Sequence, residues 1–503
     1  MFILIFFLGL SLLHLLSKDF KPLEKLALAM PMGLGLTTFL MFFLDRTVHS
    51  ITKDNVLFSV IIVTIIFSGV RYYLDWRAND LPWKRPRPKV DLSWLTLVWV
   101  VFAGMTAYLV YGITTKCLYW PTAEFDAILG YDLLAKAIAH EHVMTNSMLT
   151  NSFIVGSCAT RMLYPPLVAL SNSICYMTGM ESSKWITAFF YLSWVFIFYL
   201  LLRRFVTSTN AIIFTFLTVM IPEMFAHASF SLSNLPCAVY STIGVVSLVI
   251  WYEQKKEGFF YLSLIAIIFS MWTRSEVIVF LAAILAILGI IALRDRRFKH
   301  IVIYALAIIP FEMWNIFLKM YVPRGQSDFF NKTITYNSGK MNKILSSAWE
   351  VMSSSSIYGI TFYIFIAAVF AGIIINIVRD FKGNKWILGG LVFWIIVILG
   401  VGVNIFSLIL FGILLFASSF VNRENWILLA ILLLSLTGYT MIYYQVSDAD
   451  PTLFAPGGWM QSGYKRGLFC YAPVALFYAA SSHWVKWAFS KLDEKLVLFQ
   501  SPK

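Results

Sequence analysis

Two carboxylates stand two residues apart in a largely apolar neighbourhood: Glu124 and Asp126, in the stretch EFD just after Trp120–Pro121. A carboxylate fixed at such a turn can act as a general base, taking a hydroxyl proton from about 3 Å away. Asp126 also precedes a helical-looking run, AILGYDLLAKAIAHEH, so an N-cap is an equal and compatible reading. Leu129, Leu133, Leu134, Ala137 and Ile138 share one face of that run, the pattern of a helix lying along a membrane interface. Its lysine, Lys136, can hold a phosphate or snorkel to the headgroups, and by itself it reads as snorkelling. His140-Glu141-His142 invites a zinc reading, but histidines at i and i+2 point to different sides of a helix and no third ligand stands out, so solvated residues are the favoured reading.

Three more charges stand where ionisable groups are expensive. Arg274 and Glu276 interrupt the apolar stretch IIFSMWTRSEVIVFL, and Arg466 opens a late apolar run in SGYKRGLFCYAP. Charges at membrane depth mark function by default. The plainer reading is that Arg274 and Glu276 pair with each other at a hairpin tip. The planar fork of an arginine suits two phosphate oxygens at once. Glu223, His227 and Asn234, on the same outer side, could line a cavity, though exposed loop residues are the favoured reading.

The elements that must position these residues are membrane helices. The chain is 59% hydrophobic and 13% charged, against about 25% charged for a soluble domain. It carries about fifteen apolar runs, from 2–16 to 466–484, long enough to cross a hydrocarbon core of about 30 Å. The expected fold is an all-α polytopic membrane protein. Run 2–16 lacks a basic start and reads as a retained span. The connection with Arg71, Arg77, Lys84, Arg85, Arg87 and Lys89 is expected to be cytoplasmic. Threading from there puts Arg203–Arg204, Lys255–Lys256, 294–300 and the C-terminal tail on that face too. Segments 114–167, 321–356 and 445–465 then face away from the cytoplasm. The net charge of +13 points to anionic membrane lipid. No basic and aromatic groove for nucleic acid is present. Cys117 and Cys158 flank the first outer loop and could form a disulfide if it faces an oxidising compartment, but two unpaired thiols are the favoured reading.

The 114–167 loop is long for a connection, and such loops are usually functional. Its aromatic and leucine content argues for order. Facing outward, it has no access to cytoplasmic nucleotides and needs a substrate delivered in the membrane.

These features together resemble the GT-C superfamily of integral-membrane glycosyltransferases, which includes protein O-mannosyltransferases and the aminoarabinose transferase of lipid A. The resemblance rests on an ordered set of short motifs over about residues 92–484. EFD at Glu124–Asp126 follows a span; Lys136 follows in LLAKA; the loop closes on YPPL at Tyr164–Leu167. An outer turn then ends in Asn234–Pro236, a TR-x-E break follows at Thr273–Glu276, and Arg466 opens the last span. Ile128 and Gly130 depart from the aromatics common there, and one lysine of a paired KAK motif remains. The resemblance implies a bundle of about 13–15 transmembrane helices, with interfacial helices in the first long outer loop. It divides the chain into extra N-terminal helices and a basic loop (1–91), a catalytic core (92–320) and C-terminal helices (321–503).

The implied activity is transfer of a sugar from a polyprenyl-phosphate-linked donor to a glycan, lipid or protein acceptor, with inversion. Asp126 would be the general base, assisted or replaced by Glu124. Lys136, Arg161, Tyr164, Arg274, Glu276 and Arg466 would bind substrate. No cofactor is expected, although some members use a divalent metal, for which Glu276 or Glu124 could serve. The implied location is the bacterial inner membrane, with the site on the periplasmic face. Two alternatives remain open: a transporter or flippase of lipid-linked saccharides, and an oligosaccharyltransferase or ligase of the same fold. A repeat between the halves would favour transport, and none is visible. A larger outer domain would favour whole-glycan transfer.

Overall fold

The computed structural model describes residues 1–78, 95–152, 163–296, 298–323, 337–379, 385–402, 407, 410, 412–413, 425–446, 452–455 and 457–498. Among them every regular element is a helix and no strand occurs. In chain order the first are α1 (Phe2–Leu16), α2 (Pro22–Thr47), α3 (Lys53–Arg77), α4 (Leu95–Tyr119), α5 (Asp132–Glu141), α6 (Leu167–Met177) and α7 (Trp185–Leu202). Next come α8 (Ser208–Val219), α9 (Pro222–His227), α10 (Asn234–Gln254), α11 (Glu257–Met271), α12 (Ile278–Asp295), α13 (Lys299–Ala305) and α14 (Ile308–Tyr321). The remainder includes α15 (Thr361–Arg379), α16 (Trp426–Gln445), α17 (Ala472–Ser481) and α18 (His483–Leu498). Eight helical stretches among the described residues are long and apolar enough to cross a membrane, with shorter apolar helices between them. The chain is a helical polytopic membrane protein. α3 shows why lipid is needed: Phe58, Ile65 and Ile66 are exposed along it, an apolar surface that water would not tolerate.

The helices group into two compact units. The first contains 1–201, 225–275 and 307–325. At its centre α10 is 94% buried over its apolar window, and it packs against α11. The pair is bonded where Ser263 Oγ donates to the Gly244 carbonyl at 2.7 Å. α1 and α2 cross at Gly9 and Gly33, where a Cβ on Gly33 would stand 2.0 Å from the Ile5 carbonyl oxygen. Small residues at such crossings let backbones approach closely in lipid. α2 packs on α6, receives the Tyr240 hydroxyl at the Pro31 carbonyl (2.6 Å) and stacks Phe39 on Trp272 (4.6 Å between centroids). The leading helices therefore belong to the same compact unit as α4, α5 and α6.

The second unit contains 202–224, 276–306 and 326–503. α12 packs on α16, with Gly438 leaving 3.3 Å for Val279 Cγ1. α17 is buried over its whole length and takes α8 and α15 against it. Buried amides tie the ends of these helices: Asn210 Nδ2 donates to the Ala480 carbonyl at 3.0 Å. Asn425 Nδ2 donates to that of Ser481 at 2.9 Å.

Several expected spans are broken. Run 209–225 divides at Met220–Ile221, where Pro222 opens α9, because proline is favoured at a first helical position and not inside. Run 300–320, by contrast, is kept as one stretch long enough to cross a membrane, Lys299–Tyr321, with a turn between α13 and α14. Run 466–484 begins in a short helical turn (Lys465–Gly467), passes through a 3-10 turn and α17 and ends in the first residues of α18, with Pro473, which cannot donate to a preceding helical carbonyl, in the first turn of α17. Run 404–421 lies mostly outside the described residues. α6 was not expected; at 11 residues it is about 16 Å long, too short to span.

Candidate functional site

The acidic turn is built from its two ends. Beyond α4, the carbonyls of Trp120 and Pro121 accept from Lys184 Nζ at 2.6 and 2.9 Å. Lys184 is only 2% exposed, so a buried, charged donor fixes the chain just before Glu124. The Glu124 carbonyl then accepts from the amides of Ala127 and Ile128 at 3.0 and 2.9 Å. That starts the helix, and its first residues, Ala127–Tyr131, form a wide π turn, a feature frequent at functional sites. Asp126 already has helical angles (φ −68°, ψ −25°), and its side chain makes no capping bond. The N-cap expectation is thereby corrected, because the Glu124 carbonyl has begun the helix upstream. Both carboxylates are half-buried. Glu124 Oε2 is buried with no hydrogen-bond partner among the described residues, an orphan that requires explanation.

α5 continues from the π turn and packs against α6. Its buried face carries Leu134, Ala135 and Ile138, while Leu129 and Leu133 are half-exposed. The apolar stripe expected to meet lipid is therefore covered in large part by protein. Asp132 is also on the buried side, 3% exposed. Its Oδ1 accepts the Tyr176 and Ser183 hydroxyls, each at 2.5 Å, and its Oδ2 meets Lys136 Nζ at 2.9 Å. Ser183 in turn shares a 2.7 Å bond with Ser231. Burial first, and then the neighbouring Asp132, push the Tyr176 phenol well above its ordinary value. It stays protonated and donates. Lys136, 56% exposed at its side chain, also lies over the Tyr176 ring at 5.3 Å. Neither Asp132 nor Lys184 stands out in the sequence. Asp132 looks like one more loop acid, and Lys184 like the polar end of a span.

The second end of the site is Arg274. It follows α11, in the break read from the sequence, and Nη1 donates to Asn234 Oδ1 and to Ser233 Oγ (3.3 Å for the latter). Its guanidinium lies 5.0 Å from the centroid of the Tyr164 ring, a cation–π contact. Tyr131 tilts against Tyr164 at 6.1 Å and shares a 2.7 Å bond with Ser233 Oγ. The YPPL segment is anchored by two backbone carbonyl contacts. Trp314 Nε1 donates to the Leu163 carbonyl at 3.1 Å, and the Leu167 amide donates to that of Trp272 at 3.1 Å. His227 and Asn234, expected on an exposed loop, are buried and share a 3.3 Å contact. A buried asparagine of this kind is what orients an arginine fork.

At the far end of the loop, Asp45 of α2 accepts the Met144 amide at 2.8 Å, and Arg46 covers the Phe317 and Tyr321 rings at 4.9 and 4.7 Å. Glu141 Oε2 accepts the Ser147 amide at 2.9 Å.

The structure thus brings Tyr164 and Arg274 together and ties Lys136 to Asp132. Arg161 and Cys158 lie outside the described residues, and Cys117 is a buried free thiol. Glu276, half-buried on a 3-10 turn, and Arg466 belong to the second unit. There Arg466 Nε donates to the Ser462 carbonyl at 3.1 Å, and Lys465 pairs with Glu223 at 2.7 Å. Neither family models, curated proteins nor solved structures give a match to this chain.

Proposed function

We propose that this chain is a membrane glycosyltransferase of the GT-C type, moving a sugar from a polyprenyl-phosphate-linked donor to an acceptor hydroxyl on the extracytoplasmic face. One observation carries the reading. Tyr164, Ser233 and Asn234 meet around the Arg274 guanidinium, and Tyr131 packs on Tyr164 and bonds Ser233 behind them. The carboxylate pair Glu124 and Asp126 lies on the same helical run, just before Tyr131.

In the proposed step a carboxylate takes the acceptor's hydroxyl proton as the oxygen attacks the anomeric carbon. The bond from that carbon to the donor's phosphate oxygen breaks, and polyprenyl phosphate leaves with the electron pair. Configuration inverts. Arg274 meets the negative charge growing on the phosphate, the kind of fixed electrostatic help that dominates many enzymes. Asn234 and Tyr164 limit the freedom of its fork, so little reorganisation is needed. The resemblance assigns the base to Asp126; the orphaned Oε2 makes Glu124 the second candidate. Lys136, engaged by Asp132, supports the helix. Glu276 and Arg466 keep their substrate-binding roles on the resemblance alone, as does the bacterial inner membrane as the location.

The test is sugar release from a radiolabelled polyprenyl-phosphate donor, in membranes with matched protein levels. Arg274→Lys keeps the charge and loses the two-toothed fork. It is expected to lower turnover about 100-fold, as for loss of one transition-state donor, and Arg274→Gln at least as much. Normal turnover in both would remove Arg274 from the reaction.

A further inference from the structure

The chain is apolar on its outside where α4 ends and the acidic turn begins. Leu118, Tyr119, Trp120, Phe125 and Ile128 are all exposed, Tyr119 at 79% and Phe125 at 60%. The polar residues of the turn are more covered than these. Glu124 and Asp126 are half-buried, and Ala127, Gly130 and Tyr131 after them are buried. Protein therefore covers one side of the turn and leaves large apolar side chains on the other. So many of them in one short stretch need something other than water against them.

What lies there follows from what the stretch adjoins. α4 is long and apolar enough to span, yet only 17% of its apolar window is buried. Val100, Val101, Tyr108 and Tyr111 are exposed along it. A spanning helix with so little protein around it meets lipid over most of its length, and residues 118–128 stand at the end of that lipid-facing surface. Tyrosine and tryptophan at a helix end, apolar in the ring and polar at the tip, suit the headgroup level. Water is close by as well: Glu181 is exposed, three residues before Lys184, whose Nζ holds the Trp120 and Pro121 carbonyls. Apolar side chains on one flank and an exposed carboxylate near the other are the surroundings of a segment at a bilayer surface.

We propose that the acidic turn is seated in the headgroup layer of the leaflet at this end of α4, with Leu118, Tyr119, Trp120, Phe125 and Ile128 against phospholipid. The occupant of this surface is bilayer lipid, not a second copy of the chain or another protein. Lipid contact here does not depend on the glycosyltransferase reading. Where that reading also holds, a donor with a polyprenyl tail reaches Glu124 and Asp126 sideways from the leaflet, without leaving the membrane.

The test places a nitroxide spin label on Tyr119→Cys or Ile128→Cys in the full-length protein, reconstituted in vesicles of phosphatidylcholine and phosphatidylglycerol. Cys158→Ser removes one competing thiol, and the remaining cysteines are buried. Ile65→Cys, at an exposed position of α3, is the lipid reference, and Glu181→Cys is the water reference. Molecular oxygen concentrates in the bilayer and a nickel chelate in water, so power saturation with each reads where a label sits. The labels at 119 and 128 are expected to meet oxygen more often than the label at 181 does, and the nickel chelate less often. Access like that at 181 to both reagents overturns the proposal, because the turn then stands in water. Low access to both reagents overturns it too, because protein then covers the surface. Either position decides the matter if the other variant fails to fold. Sugar release by the unlabelled wild type in the same vesicles is read separately. Labels in lipid without sugar release would uphold the lipid contact and remove only the glycosyltransferase reading.

Discussion

Two charged regions of this protein follow opposite plans. In the first unit, buried and half-buried ionisable groups have partners inside the fold: Asp132 takes two hydroxyls and a lysine, Lys184 takes two carbonyls, and Arg274 takes an amide oxygen and a ring. In the second unit, basic side chains of one sign surround a space. The first arrangement holds neighbouring residues in place; the second brings the basic residues of segment 203–207 and α18 to one place. Glu124 is the exception in the first unit. It sits in the internally bonded region, but one of its carboxylate oxygens is buried with no hydrogen-bond partner among the described residues.

The comparison breaks most sharply at the carboxylates. Loss of a general base lowers turnover about 10²–10⁴-fold. That loss is expected for Asp126→Asn, with a smaller one for Glu124→Gln, both at unchanged protein level. The reverse order would move the base to Glu124. Next in size is Asp132→Ala, which takes the acceptor from the half-buried Tyr176 hydroxyl and leaves buried Ser183 with Ser231 alone, at about 1–3 kcal/mol in all. Chemical denaturation in detergent reads that loss. Lys184→Met removes one charged donor from two carbonyls and is expected to cost about 1.5–3 kcal/mol, with turnover falling too because the acidic turn loosens. Lys136→Ala is the smallest. Its side chain is more than half exposed, and exposed pairs are worth at most about 1 kcal/mol. An effect of Lys136→Ala on turnover as large as that of Asp126→Asn would put the lysine on the substrate instead of on Asp132.

The helical membrane class was legible because apolar runs of spanning length require helices whatever their packing. The break at Thr273–Glu276 was legible because charges interrupt a run there. The motif residues Tyr164, Asn234 and Arg274 could be singled out one by one, but their meeting could not be read. What holds the site lies far away in sequence: Tyr176 is 44 residues from Asp132, Lys184 is 64 from Trp120, and Ser233 is 102 from Tyr131. Periodicity sees only neighbours on one helix. The same limit explains α6. Its Ser171, Asn172 and Ser173 are buried, so a short helix rich in polar residues reads as loop until its packing partners are known. His227 and Asn234 were misread as exposed for the same reason.

The most direct measurement asks whether the sugar–phosphate bond is broken. The full-length protein, reconstituted with a polyprenyl-phosphate sugar labelled in both the sugar and the lipid, would be supplied with membrane extract as the acceptor source. The account predicts that the two labels separate, that free polyprenyl phosphate accumulates, and that the product has inverted anomeric configuration. If both labels stay in one molecule that has crossed to the other leaflet, the protein transports its substrate and the glycosyltransferase reading is wrong.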